Sequence, residues 1–486
     1  MNVTRGRVAV LALGLLVLAI CAVHAPHGPA LGADDHGQYL LHARALVTGR
    51  PYVDIGFIHT TFSTMVAPIA EPPGLPALVA AVFVLAGERV DLARIILFAS
   101  FAAFGWLVWT RIRRDATPIK AALVTGWSLA ALGRLHALDT MTADLPFCAA
   151  LWLVFAVADA GTVKDGRRLA ILAFAGVAAF SFRMAALPLL PAAAVALLLR
   201  DRDERGAYAV LGVAWTAAAA AVMFGLPAAQ VLAGETLRSP AILWRDLLLN
   251  ARAALDGVHG LALVDLGSRT ANLMLDAVLL SVCLVGLTTF LRVQRRQFTW
   301  IVAGWYLVMI TTLPTRAGRY LWPLYPLLAL SFLEGAKWLA GRIRVSITHT
   351  ATVGAVFATL VVLFGVAQDA LRPPPPTYRT HPDLQTMRSA LAREDGGART
   401  LRVVVFTPRV MAWEDGYTTM AGFDAPTNEM LALLASTRIT HVVVGDAGTF
   451  APGTASIRAL VRDHPRQFRE IARTPTFSLH AFIPTD

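Results

Sequence analysis

Glu71-Pro-Pro-Gly-Leu-Pro-Ala-Leu-Val-Ala-Ala-Val-Phe-Val-Leu-Ala86 is the stretch on which the fold turns. From Pro72 to Ala86 it is apolar but only about fifteen residues long, and a helix that crosses a bilayer needs about 20. Downstream stands Arg111-Ile-Arg-Arg114, a basic cluster of the kind that marks a cytoplasmic helix end. If Pro72–Ala86 were a crossing, that cluster and every later one would change sides. A helix lying in the membrane surface instead leaves residues 25–90 as one large external loop carrying amphipathic helices, and all the basic clusters then share one side.

The first apolar run, Val8–Val23, follows Arg5 and Arg7 and has no clear small-x-small cleavage site. It reads as a retained helix with a cytoplasmic N-terminus. Further runs fall near 91–110, 118–134, 145–160, 168–181, 184–199, 207–224, 273–291, 298–313, 320–338 and 348–368. They are punctuated by Arg111/Arg113/Arg114, Lys164/Arg167/Arg168, Arg200/Arg202/Arg205, Arg292/Arg295/Arg296 and Lys337/Arg342/Arg344. With these clusters cytoplasmic, about eleven transmembrane helices close the parity, residues 225–272 form a second external loop, and the C-terminal part is external.

Composition agrees. Of 486 residues 56% are hydrophobic and 15% charged, with mean hydropathy +0.58, whereas a soluble domain carries about 25% charged residues. That excludes a disordered chain and an ordinary soluble enzyme. The net charge of +11 is not a nucleic-acid signal, because residues 378–486 hold 12 Arg against 11 Asp or Glu. The excess sits at the membrane clusters. Cys21, Cys148 and Cys283 are too scattered for disulfides or a thiolate site.

Beyond Arg372-Pro-Pro-Pro-Pro376, part of a stiff spacer at 371–378, the periodicity changes. Leu401–Phe406 and Thr440–Val444 read as buried strands, with His480–Ile483 a further one. Asp383–Arg393, Thr427–Ser436 and Thr454–Asp463 read as helices. Trp413-Glu-Asp-Gly-Tyr417 and Gly445-Asp-Ala-Gly448 read as loop and turn chemistry. The expected fold is therefore a polytopic α-helical membrane domain (1–370) followed by a small extracytoplasmic α/β domain (379–486).

The first external loop opens with Gly32-Ala-Asp-Asp-His-Gly-Gln-Tyr39. Adjacent carboxylates beside an apolar helix end must be solvated, paired or used; a solvated loop start is the plain reading of Asp34 and Asp35. The next external turn carries His136, Asp139 and Asp144. Asp144 precedes Pro146, so a helix N-terminal role accounts for it as well. Arg183, Arg316 and Arg319 fall outside, against the usual charge bias. They suit either phosphate recognition through paired donors or helix-end snorkelling. Asp201-Arg-Asp203 is flanked by arginines on the cytoplasmic side and reads as a solvated loop. No phosphate-binding Gly-rich loop occurs, and the dispersed histidines offer no zinc site.

The order Asp34-Asp35-x-x-x-Tyr39, Ala43-Arg44-x-Leu46-x-x-Gly49-x-Pro51-Tyr52, Pro72-Pro73-Gly74 resembles the first external loop of GT-C glycosyltransferases. It is most similar to glycosyltransferase family 39, the protein O-mannosyltransferase and lipid A aminoarabinose transferase relatives. Asp144-Leu-Pro146 resembles that family's second acidic loop, and Arg319-Tyr-Leu-Trp-Pro-Leu-Tyr-Pro326 its late helix start. His36 stands where relatives often carry an acid. The resemblance implies an inverting transfer of a sugar from a polyprenyl-phosphate donor to an acceptor hydroxyl outside the cytoplasm. The acceptor would be a glycan, a lipid or a protein. Asp35 would be the general base, with Asp34 beside it, and Asp144 would orient acceptor or base. Arg319, with Arg183 or Arg316, would hold the lipid phosphate. Tyr39, Asp139, His136 and Tyr320 would line or support the site. No cofactor is required, no metal ligand set is visible, and a divalent cation is left open.

Two other functions fit a polytopic chain: a lipid or solute transporter or flippase, and a GT-C-like subunit without catalysis. A transporter usually shows internal repeats and mid-membrane polar groups, whereas these runs are nearly free of charge and the candidates gather at one face. The topology has a direct test. A reporter fused after Arg114 is expected in the cytoplasm and one after Pro376 outside; an external Arg114 fusion would make 72–86 a true crossing.

Overall fold

The computed structural model describes residues 2–26, 34–60, 70–135, 137–161, 163, 165–225, 258–262, 268–294, 297–312, 318–342, 363, 366–368, 370–371, 376–422, 426–445 and 454–484. Up to the spacer the helices are α1 (Asn2–His24), α2 (Asp34–Thr48), α3 (Gly74–Ala86), α4 (Val90–Ala93), α5 (Ile95–Ile112), α6 (Pro118–Arg134), α7 (Asp144–Ala158), α8 (Gly166–Phe182), α9 (Leu189–Leu199), α10 (Arg202–Gly225), α11 (Arg269–Gln294), α12 (Phe298–Thr312) and α13 (Tyr325–Arg342). Short 3-10 turns, Met184–Ala186 and Gly318–Leu324, precede α9 and α13.

Each apolar run read as a span up to 320–338 coincides with one of these helices. The last, 348–368, falls mostly outside the described residues, as does most of the loop 225–272. Among the described residues four stretches are long and apolar enough to cross a membrane: Gly6–His24, Val90–Ile112, Glu204–Met223 and Thr270–Thr289. Local chemistry sets several starts. Thr117 is extended and its side chain accepts the Lys120 N–H at 3.4 Å, with Pro118 in the first turn. Asp165 caps α8 by accepting the Arg167 N–H at 3.1 Å.

Two compact units divide the chain: Met1–Pro26, Arg94–Leu138 and Ala143–Pro373 in the first, and His27–Ala93, Asp139–Thr142 and Pro374–Asp486 in the second. The first external loop, read from sequence with residues 1–370, groups here with the C-terminal residues. In the second unit α14 (Pro382–Asp395), β1 (Arg402–Val405), α15 (Pro408–Asp415), β2 (Thr418–Ala421), α16 (Thr427–Ser436), β3 (His441–Gly445), α17 (Thr454–Asp463), β4 (Phe468–Arg473) and β5 (Phe477–Phe482) build a sheet in the order β2-β1-β3-β5-β4. β2, β1 and β3 run parallel; β5 is antiparallel to β3 and to β4.

Both faces of this sheet are covered. Val403, Val405 and Val443 pack with Leu384, Met387 and Leu391 of α14 and Val410 and Met411 of α15. Val404, Val442 and Val444 pack with Met430 and Leu434 of α16 and Ile457 and Leu460 of α17. The alternation along the strands feeds two cores, which is why the valine runs carry no polar phase. The expected helices and the strands at 401–406 and 440–444 are present, and the last strand begins earlier, at Phe477. Trp413–Asp415, read as loop, ends α15, and Gly416 closes that helix in the left-handed region at φ 74°. The turn at 446–448 lies outside the described residues.

The first loop joins this unit by completing its sheet. β2 is an edge strand, and residues 56–58 lie along it: Thr419 N–H donates to the Gly56 carbonyl at 2.8 Å and Ile58 N–H to the Thr419 carbonyl at 2.7 Å. An open edge is thereby paired. α2 is not a surface helix as expected; most of its residues from Asp34 to Ala45 are buried. α3 does keep an apolar face in the open, with Leu78, Val84 and Leu85 exposed, opposite buried Leu75, Val79 and Phe83. Such a face suits a helix lying in the membrane surface.

In the first unit α11 and α13 pack backbone to backbone. A Cβ on Gly286 would overlap the Ser331 carbonyl, and one on Gly335 the Val282 carbonyl. Small residues at such crossings let membrane helices approach. Gly335→Val is therefore expected to cost about 1–3 kcal/mol or more, read as a lowered melting temperature of the detergent-solubilised protein, while Gly304→Val, with open space around it, changes little.

Candidate functional site

In each unit a carboxylate singled out from sequence is buried and met by arginine. In the first unit it is Asp144, in the opening turn of α7 and 4% exposed. Arg183, the residue that closes α8, turns extended (φ −153°, ψ 139°) and reaches back across it. Its Nη2 donates to Asp144 Oδ2 at 2.9 Å and its Nε lies 2.8 Å from Oδ1 in the same ion pair. Arg319, in the Gly318–Leu324 turn, has Nε 3.9 Å from Asp144 Oδ2 and a side chain 32% exposed. The Tyr320 ring lies 5.6 Å from the Arg183 guanidinium carbon. Trp152 Nε1 donates to the Pro323 carbonyl at 2.8 Å, which ties this turn to α7.

In the second unit the carboxylate is Asp34, at the start of α2. It accepts the backbone N–H groups of Arg409 at 2.8 Å and Val410 at 3.2 Å, and Arg409 Nε donates to its Oδ2 at 2.5 Å. These N–H groups belong to the first turn of α15, whose preceding residue Thr407 provides no side-chain cap. A carboxylate from the first loop thus caps a helix of the C-terminal domain. Arg409 Nη1 donates to Gln38 Oε1, and Nη2 lies 3.9 Å from Asp35 Oδ1. Burial pushes the Asp34 carboxyl up, against the pull of Arg409 and the two N–H donors. Burial works against the Arg409 charge too, but Asp34, Asp35 and Glu71 outweigh it and hold the guanidinium above its usual range.

α2 and α15 approach closely because Gly37 has no side chain; a Cβ there would overlap the Arg409 carbonyl and the Val410 nitrogen. Around them lie a second set of polar contacts. Tyr39 donates to Glu71 Oε2 at 3.1 Å, and Tyr52 donates to the Glu71 carbonyl at 2.8 Å. His36 Nδ1 accepts the Met141 N–H at 3.0 Å, so it anchors the segment 139–142 to α2.

Of the candidates read from sequence, Asp144, Arg183, Arg319 and Tyr320 come together in the first unit. Asp34, Asp35 and Tyr39 share α2, and buried Asp139 belongs to the same unit. His136 and Arg316 lie outside the described residues. Arg409 was not singled out; Pro408 opening a short helix after a strand was the one local signal of its setting. Among the described residues no group of three or more His, Cys, Asp or Glu converges. Asp34 and Asp144 each face a guanidinium, so neither offers a cation a coordination set.

No protein-family model and no curated protein sequence matches the chain. Solved structures do. The chain is similar to ArnT, the lipid A aminoarabinose transferase, from Cupriavidus metallidurans bound to undecaprenyl phosphate, at 13% identity over 97% of each chain with a TM-score of 0.55. The same protein in its apo state gives 14% identity, 97% of each chain and 0.53. The oligosaccharyltransferase of Archaeoglobus fulgidus in the apo form matches 90% of this chain and 69% of its own at 11% identity, with a TM-score of 0.54. The likeness is one of fold: the chain has the GT-C fold of these membrane glycosyltransferases.

His42, buried on the inner face of α2, gives the second unit a pH response. Its Nδ1–H donates to the Tyr52 carbonyl at 2.7 Å, its Nε2 receives the Glu71 N–H at 3.4 Å, and its ring stacks on Tyr52 at 4.3 Å. Burial, reinforced by the Arg409 charge, lowers its pKa from 6.5 to about 4, so it is neutral when folded. The unfolded chain binds the extra proton between those values, so stability falls as pH drops from 6.5 towards about 4 and is fully present above 6.5. Relative to His42→Asn, the wild type is expected to lose roughly 3 kcal/mol across that window, measured by unfolding in detergent at fixed ionic strength.

Proposed function

We propose that this protein is a membrane glycosyltransferase that moves a sugar from a polyprenyl-phosphate donor to an acceptor hydroxyl on the extracytoplasmic face. The observation that carries the reading is the gathering of Arg183 and Arg319 around Asp144. Sequence parity sets these arginines outside, where snorkelling alone predicts no common partner. The GT-C fold, and the undecaprenyl phosphate bound to the ArnT structure, give that cluster its ligand class.

In this reading Arg183 is held by Asp144 and braces the Arg319 turn. Arg319 meets the lipid phosphate and stabilises the charge that grows as the bond from the anomeric carbon to the phosphate oxygen breaks. The acceptor oxygen attacks from the opposite side, which inverts the carbon. Asp35 takes the hydroxyl proton as the oxygen loses it, acting late because a hydroxyl becomes acidic only during attack. The polyprenyl phosphate leaves without further proton transfer. Asp34 does not compete for this role, since its oxygens are taken by the α15 N–H groups and Arg409. Asp144 orders the arginines. Its carboxylate in the first turn of α7 serves the helix as well.

The test is turnover in detergent, where no membrane separates compartments, with polyprenyl-phosphate-linked sugars and release of polyprenyl phosphate as the readout. Asp35→Asn is expected to lower turnover about 100- to 10,000-fold with donor binding kept. Arg319→Lys retains charge but loses paired donors, so turnover falls more than donor affinity. A wild-type protein that leaves every donor intact yet moves the lipid across proteoliposomes is a transporter.

A further inference from the structure

The geometry points to Arg409 as a positioning residue for Asp35: the C-terminal α/β domain sets the direction and surroundings of the first-loop base through a buried guanidinium. The inference rests on the reading above, in which Asp35 is that base.

Arg409 is 1% exposed, so its charge must be met inside the protein. Its donors divide among three side chains of the first two turns of α2: Asp34 through Nε, Gln38 through Nη1 and, at 3.9 Å, Asp35 through Nη2. Asp34 and Gln38 are four residues apart and lie on one face of the helix. Holding both fixes the rotation of α2 about its axis. Asp35 is the next residue, about 100° around the helix, so its direction follows from that clamp. The Asp35 side chain is 20% exposed and that of Asp34 11%, so the clamped member is the more enclosed of the two. The Phe57 ring, 5.6 Å from the guanidinium carbon, covers the same group. Its neighbour residues pair with β2 of the domain that carries Arg409. Gly37 lets the two backbones meet.

A plainer role is available, since Asp34 caps α15 and Arg409 neutralises Asp34. The two roles separate in kinetics. In the full-length protein in detergent with a polyprenyl-phosphate-linked sugar, Arg409→Lys is expected to lower kcat roughly 10- to 100-fold with donor KM within about twofold and an unchanged melting temperature. Asp34→Asn keeps an oxygen for the α15 N–H groups while losing the charge, and is expected to show the same split; it carries the test if Arg409→Lys does not fold. In the Asp35→Asn background, Arg409→Lys should cost less than about threefold more, because a residue acting through Asp35 has nothing left to position. Wild-type kcat in folded Arg409→Lys, or in folded Asp34→Asn when that variant carries the test, overturns the inference and leaves the glycosyltransferase reading standing. Losses that multiply with those of Asp35→Asn do the same. Wild-type protein that turns over no lipid-linked donor overturns the reading, and the inference with it.

Discussion

One carboxylate at the mouth of one short helix organises the second unit. Asp34 accepts two backbone N–H groups and the guanidinium of a residue 375 positions away. Every consequence of that contact is steep. The α15 start has no cap of its own, Arg409 is buried, and Asp34 is desolvated. Removing either partner leaves a charge in a low-dielectric interior. The close approach it needs is why position 37 has no side chain, and the strand-like pairing of residues 56–58 with β2 fastens the same loop to the same domain a second time.

The arginine–carboxylate centres at Asp144 and Asp34 obey the same physics with different exposure. Around Asp144, Arg183 is nearly buried while Arg319 keeps about a third of its side chain in the open (32%). Around Asp34, the guanidinium is enclosed and an adjacent carboxylate, Asp35, is somewhat more exposed than Asp34, 20% against 11% of the side chain. A buried charge holds its partner in place; the exposed member beside it is the one able to meet something that arrives. Arginine suits both places because its rigid guanidinium keeps its charge and carries several fixed donors.

The membrane helices were legible because length and hydropathy alone decide them, and basic clusters order them. The valine strands and the helices at 427–436 and 454–463 were legible from periodicity. β2 and β4 were not. Thr418-Thr-Met-Ala421 is four residues long with no aliphatic β-branched run, and Phe468-Arg-Glu-Ile-Ala-Arg473 is a charged edge strand. Asp144, Arg183 and Arg319 could be nominated because arginine outside the membrane breaks a charge rule. Arg409 breaks none. It is one of 12 arginines after residue 377, and only the fold tells which of them is enclosed. Nothing local in Gly56-Phe-Ile58 announces that its hydrogen-bond partners lie in a strand beginning at Thr418.

The sequence separation between Asp34 and Arg409 also sets an order of assembly. Translation proceeds at about 5–20 residues per second, so α2 has been made for about 20–75 s before the arginine that completes it. For that interval the helix carrying the acidic pair has neither its counter-ion nor its neighbour strand, and it matures only when the last quarter of the chain has been made. The first loop of this molecule is therefore finished late in synthesis: a nascent chain with every helix up to α13 made still lacks it.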